Sequence, residues 1–254
     1  MIILLSPAKS LDLDSPAPEE PSIPRFERQA AQIARAAAKL SADDLQEIMG
    51  ISDKLAEENE ERYRRFFKKE TRPAIRTFAG DVYRGFDVSS AEPDVIDYAQ
   101  NHVRILSGLY GMLKPKDRMR PYRLEMGTRW NPEEGTDGKL TDHWGDKVAK
   151  ELRKELKAEG SNTILNLASN EYFDVVRGKL LKKTRVIAPD FRVEIAKGLQ
   201  FQSFAAKVAR GAMARWVCDE RIEDAEALKR FDRDGWVYRE KGSEPDKPLF
   251  VREG

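Results

Sequence analysis

The sequence predicts an α+β fold: a single mixed domain of 254 residues in which helices flank a central sheet. Two observations carry this. Short apolar runs of strand length, IILL at 2–5 and TILNL at 163–167, each break into a polar loop, whereas stretches such as 141–156 repeat apolar residues at helical spacing. No internal repeat or low-complexity block interrupts the chain, and its length suits one substantial core over residues 1–254.

Composition narrows the function classes. Charged residues make up 35% of the chain with a formal net charge of +1, so any nucleic-acid surface must be local. Cys218 is the sole cysteine, which excludes an internal disulfide and suits a reducing cytoplasm. His102 and His143 stand far apart without ligand spacing, so neither a metal nor another cofactor is expected. The opening MIILLS is too short for a signal core or a membrane span, and the expectation is a cytoplasmic protein without a membrane role. Phosphate-loop, dinucleotide and hydrolase-elbow patterns are all missing from the sequence.

In chain order, the strand at 2–5 delivers Lys9 into the loop Ser6-Pro7-Ala8-Lys9-Ser10. A lysine there either binds an anion, acts as a nucleophile if desolvated, or simply faces water. Pro16, Pro18, Pro21 and Pro24 then impose an extended crossing. An alanine-rich amphipathic helix is expected over 25–39, and Ser41 with Asp44 caps a second one ending at Gly50. A third begins near Asp53 with Leu55, Ala56, Asn59, Tyr63 and Phe66 at helical spacing.

The pair of helices at about 42–66 resembles a helix-hairpin-helix, a module that grips nucleic-acid backbone. Gly50, Ile51 and Ser52 form the hairpin and Lys54 follows it, with Ser52 standing where that module usually has a second glycine. A structural helix pair is the alternative reading.

Helical character returns at 73–78 and 92–101, separated by a shaped loop around Gly80 and Gly85. Residues 106–127, LSGLYGMLKPKDRMRPYRLEMG, mix glycines, prolines, aromatics and charges as neither helix nor strand does. Tyr122 to Met126 alternates like a strand and sets Arg123 and Glu125 on one side, as a site or as a salt bridge. Residues 131–139 read as turns and 141–156 as one helix with Trp144, Val148, Leu152 and Leu156 in a row. The strand at 163–167 leads to a polar loop carrying Glu171, repeating the arrangement at Lys9. Strands are expected at 184–188 and 191–203, then a helix with Phe204, Val208, Ala212 and Trp216 as its apolar ridge. Lys207 and Arg210, three apart, converge on one anion or form a solvated face. A short acidic helix near 223–229 and strands at 236–238 and 249–251 finish a sheet edge.

Taken together, Ser6-Pro7-Ala8-Lys9, Ile51-Ser52-Asp53-Lys54-Leu55-Ala56, Gly80-Asp81-Val82-Tyr83, the 106–127 stretch, Asn166-Leu167-Ala168-Ser169 with Glu171-Tyr172, and Ala206-Lys207 with Ala209-Arg210-Gly211 resemble the YaaA family from end to end. The resemblance implies a bacterial cytoplasmic protein of the hydrogen-peroxide response that helps keep unincorporated iron low. It also implies binding of double-stranded DNA through a helix-hairpin-helix, with Gly50, Ile51, Ser52 and Lys54 as the phosphate contacts. Lys9, Arg123, Glu125, Glu171, Lys207 and Arg210 fall within the shared motifs, and their chemistry suits a pocket for an anionic or nucleotide-like ligand. The competing function is therefore an enzyme, a lyase or hydrolase acting on a nucleobase, nucleotide or damaged DNA through a pocket lysine. Direct iron storage finds no ligand pattern.

Overall fold

Ile2–Leu5 is buried along its whole length, as an uninterrupted apolar strand must be when sheet neighbours lie on both sides. In the computed structural model, which describes residues 1–133 and 138–254, it pairs in parallel with Val103–Ser107 on one side and Thr163–Asn166 on the other. Arg185–Ile187 extends the sheet in parallel, and Gly111–Leu113 closes the opposite edge as an antiparallel hairpin strand. From the first strand the chain moves one way to Val103–Ser107 and then crosses back past it to Thr163–Asn166. That reversal is the topological switch point of an open sheet, and crevices form there beyond the carboxyl ends of the strands.

The late strands do not join this sheet. Asp190–Ile195, Gly198–Gln200, Val237–Glu244 and Lys247–Glu253 build a second, four-stranded one, with Lys247–Glu253 in its interior and Val237–Glu244 at its edge. The central core extends under both sheets through Phe191, Phe231, Trp236 and Phe250, whose rings meet within 6.3 Å.

Two expected helices come out differently. The stretch expected as one helix over 141–156 is two, Leu140–Trp144 and Lys147–Glu159, because Gly145 turns the backbone at φ 44° between them. Trp144 turns inward there and donates its indole N–H to the Gly108 carbonyl at 2.8 Å, while Val148, Leu152 and Leu156 bury as expected. Of the 131–139 turn region, residues 134–137 lie outside the described residues.

The helix Ser203–Asp219 uses only part of the ridge the spacing suggests. Ala212 and Trp216 are buried as expected, but Phe204 is 56% exposed and Val208 only half-buried, while Ala205, Ala209 and Met213 face inward beside them. Its orientation is set by glycine. A Cβ on Gly211 would sit 1.8 Å from the Val82 carbonyl oxygen, and one on Gly85 would sit 2.0 Å from that of Val208. The helices Ser203–Asp219 and Asp81–Phe86 thus meet backbone to backbone.

Near the amino end, the proline-rich crossing is fastened by Arg76 to Glu19 at 2.6 Å and by Ser22 N–H to the Lys116 carbonyl at 2.8 Å. Helices Glu27–Ala37, Ala42–Met49 and Asp53–Arg64 share a small core of their own, with Ala37, Leu45, Ile51, Ala56 and Tyr63 buried in it. No helix among the described residues is long and apolar enough to cross a membrane.

Candidate functional site

The loops that leave the carboxyl ends of the parallel strands are pinned to one another. Ser6 Oγ, just past the first strand, accepts the Ser169 backbone N–H at 2.8 Å just past the strand Thr163–Asn166. The Ser6 carbonyl accepts the Tyr83 hydroxyl at 3.0 Å. At the end of Val103–Ser107, Ser107 Oγ and the Tyr122 hydroxyl lie 2.6 Å apart, which fixes the segment carrying Arg123 and Glu125. Gly108 lets that segment lie close, since a Cβ there would stand 2.2 Å from the Leu124 carbonyl oxygen.

Between these loops and the turn at Gly50 lies an open cleft of ≈ 670 Å³, lined among others by Lys9, Glu47, Gly50, Glu125, Arg129 and Glu171. Lys9 Nζ stands 3.3 Å from Glu125 Oε1, and Arg123 Nε approaches the same oxygen at 3.3 Å, so one carboxylate is held between two cations. Glu125 is 13% exposed in its side chain; Lys9 is 66% exposed. Arg123 is itself positioned from below by the Tyr63 hydroxyl, which donates to its carbonyl at 2.8 Å. Across the cleft, Glu171 Oε1 receives the Gly127 N–H at a long 3.4 Å, and a Cβ on Gly127 would meet that carboxylate at 3.2 Å.

A layer of tyrosines supports the floor. Burial pushes the Tyr63, Tyr83, Tyr122 and Tyr172 hydroxyls above the ordinary phenol range, so they act as neutral hydrogen-bonding struts.

Chemically the cleft is of mixed sign. Lys9 and Arg129 can hold an anion, while Glu47, Glu125 and Glu171 accept N–H donors. A nucleotide presents both features, a phosphate and the amine and amide edges of a base. Among the described residues there is no cluster of three or more groups that could hold a metal ion.

The helix pair Ala42–Met49 and Asp53–Arg64, with the turn between them, forms the opposite wall. Ala42–Met49 begins with a full capping box, Ser41 Oγ accepting the Asp44 N–H at 3.2 Å and Asp44 accepting the Ser41 N–H at 2.9 Å. It ends at Gly50 in the left-handed conformation, φ 59°. Ser52 then opens Asp53–Arg64 without a side-chain cap, leaving that helix's first N–H groups uncommitted to a side chain. Ile51 is buried beneath the turn, whereas Gly50, Ser52 and Lys54 are exposed, and Lys54 has no ion pair among the described residues.

Of the residues singled out in the sequence, Lys9, Glu125, Glu171 and Gly50 line one cleft, and Arg123 braces it from behind. Lys207 and Arg210 do not line it. Lys207 points to Asp81 at 4.0 Å, and Arg210 is partly buried near Asp190, its guanidinium pKa lowered by that burial. Glu47, Thr128 and Arg129 complete the lining without having been singled out. The available signal was position: Arg129 lies two residues beyond Gly127, and Glu47 one turn before Gly50.

Comparison with known proteins agrees over nearly the whole chain. A family model described as peroxide stress protein YaaA matches residues 1–242. A UPF0246 protein of Rhizorhabdus wittichii is 52% identical over 253 residues, 99% of each chain. Similar proteins of that name occur in Polynucleobacter necessarius, 46% identical over 257 residues, and Shewanella pealeana, 44% identical over 260 residues; these alignments cover 99% and 100% of this chain and 98% and 99% of the relatives.

Proposed function

The chain belongs to the YaaA family of peroxide stress proteins, and on that premise we propose that it serves the peroxide response as a cytoplasmic protein that binds double-stranded DNA. The helix pair acts as a helix-hairpin-helix against the backbone, and the cleft takes one nucleotide. The observation that carries this reading is the shared wall: Gly50 of the hairpin lines the same cleft as Lys9, Glu125 and Glu171. Exposed Ser52 and Lys54, with the side-chain-free N-terminus of Asp53–Arg64, offer partial and full positive charge to a phosphate. DNA so covered is shielded from damage driven by intracellular iron.

A gel-shift titration at several salt concentrations tests it. Binding should weaken steeply with salt, and Lys54→Glu should lower affinity on every sequence while flattening the salt slope by about 1 to 2, for one contact removed and one repulsion added. Duplex binding that ignores both salt and this substitution would refute the hairpin assignment.

A second reading, chemistry on the bound nucleotide or on damaged DNA, is favoured by the convergence of Lys9 with Glu125 and Glu171. In that reading the Lys9 amine adds to a sugar aldehyde and loses water to form an imine, and a carboxylate moves the protons. In the free protein Lys9 is 66% exposed and paired with Glu125. The desolvation a nucleophilic lysine needs would have to come from the ligand. Borohydride trapping on abasic DNA should then give a covalent adduct that Lys9→Ala abolishes; no adduct leaves the binding reading alone.

A further inference from the structure

The helix Lys147–Glu159 carries two charge stripes. Glu151, Glu155 and Glu159 recur every fourth residue and are tied to other elements, Glu151 to Arg25 at 3.0 Å, Glu155 to Arg104 at 2.6 Å and Glu159 to His102 at 2.9 Å. Lys150, Arg153, Lys154 and Lys157 occupy the adjacent stripe at helical spacing. Lys154 reaches Glu151 only at 3.8 Å, and Arg153 donates to the Lys179 carbonyl. Lys150 and Lys157 have no ion pair among the described residues. The acids are therefore neutralised by the rest of the fold while the cations are left facing outward.

They face a groove of ≈ 750 Å³ whose far side adds Lys183, with exposed Leu181 supplying apolar surface. Among the described residues no carboxylate lines it. Ser161 and Asn162, which lead into the strand Thr163–Asn166, and Thr184, which leads into Arg185–Ile187, also line it. The groove thus sits at the amino ends of the parallel strands, across the sheet from the mixed-sign cleft. Cations in a last helical turn can simply answer the helix dipole, and Lys157 is placed to do so. Lys150 lies two turns earlier and Lys183 lies on another segment, beyond the reach of that effect. For a chain of net charge +1, such a concentration of one sign is local and marked.

We propose that this groove is a nucleic-acid backbone site, separate from the cleft and not dependent on the cleft reading. Lys150 to Lys157 spans roughly 10 Å along the helix axis. Laid along a duplex axis, that is the rise of about three phosphates of one strand at ~3.4 Å each. Lysines supply point charges without the planar fork that reads a base, so binding is independent of sequence. An anionic membrane is the weaker fit. The apolar side chains of this helix, Val148, Ala149, Leu152 and Leu156, are all buried in the core, and a concave groove offers a bilayer little to rest on.

Fluorescence anisotropy of the full chain with a labelled duplex of about 30 base pairs, from about 50 to 200 mM salt, tests the proposal. The triple variant Lys150→Glu, Lys157→Glu, Lys183→Glu should lose more than ~10-fold in affinity at the lowest salt and show a log–log salt slope shallower by about 3 or more. The triple Lys→Gln variant at the same positions, which adds no repulsion, should lose less with a slope change of about 3. Circular dichroism checks that each is folded, and the glutamine variant serves if the glutamate one is not. Wild-type affinity and slope in the folded charge variants would overturn the proposal. So would a wild type that ignores the duplex but binds phosphatidylglycerol vesicles through these lysines, which would make the groove a lipid surface. Lys54→Glu, run in parallel, separates the two sites: loss there alone leaves the hairpin reading standing and removes the groove, and loss in the groove variants alone does the reverse.

Discussion

Cys218, the sole thiol, is fully buried, and burial pushes its pKa up to about 12. A buried thiol that stays protonated is a poor target for peroxide, because the thiolate is the reactive form. We expect a thiol-reactive dye to label the protein only after unfolding, and hydrogen peroxide to leave Cys218 reduced in the native state; rapid native-state labelling would contradict this. Other single residues were legible from the chain alone. Lys9 and Glu171 stand in loops directly after apolar strand runs, and open sheets place their crevices there. Arg123 and Glu125, two apart, share one side as the spacing demands, although the segment 121–125 joins no ladder. Lys207 and Arg210 were not legible as a separate group. Their position depends on how the helix Ser203–Asp219 is rotated, and the apolar spacing, right at Ala212 and Trp216, placed Phe204 inward where it faces out.

The crossing of that helix over Asp81–Phe86 explains why. Contact through Gly85 and Gly211 puts alanines and glycines at the interface and turns Phe204 outward, where the Arg84 guanidinium lies 5.4 Å from its ring. A spacing argument ranks positions by hydrophobicity and so favours phenylalanine; close approach of two backbones favours the absence of a side chain. Gly211→Ala must push Val82 and Phe86 aside, and since the obstructing atoms are backbone the loss should be about 3 kcal/mol, near the top of the overpacking range. At 254 residues that corresponds to a melting temperature lower by roughly 6–12 °C, readable by calorimetry. A melt within 1 °C of wild type would show that the helices can part freely. The helix break at Gly145 escaped the sequence reading for a related reason: the apolar row continues through it, and only the positive φ interrupts it.

Across the molecule, charge sets the response to acid. Hydrogen bonds from Ser41 and Ser15 hold Asp44 and Asp12 below the usual carboxylate range, and Arg239 and Lys229 do the same for Glu194 and Glu226. A carboxyl whose pKa falls on folding contributes stability above its unfolded pKa and loses it as pH drops through the folded one. Asp117 runs the other way, its pKa raised by burial, and offsets a little of this. Stability should therefore decline most steeply from about pH 4 downward, after a smaller loss that begins below about pH 6.5 because burial lowers the His143 pKa. Denaturant midpoints across that range would show it, and a midpoint that rose on acidification would reverse the assignment. At this scale the mixed α and β character and the early strands were readable, because buried strands leave uninterrupted apolar runs. The split into two sheets was not, since strand pairing is decided by contacts distant in the chain.

Under the proposed function, the wall shared by the Gly50 turn and the cleft would bind two events together. A ligand held by Lys9 and a duplex resting on Gly50 would both bear on Glu47, Ile48 and Met49, the last turn of one helix, which line the cleft. Thermodynamic reciprocity then requires that whatever factor the ligand changes in the grip on the duplex, the duplex returns to the ligand.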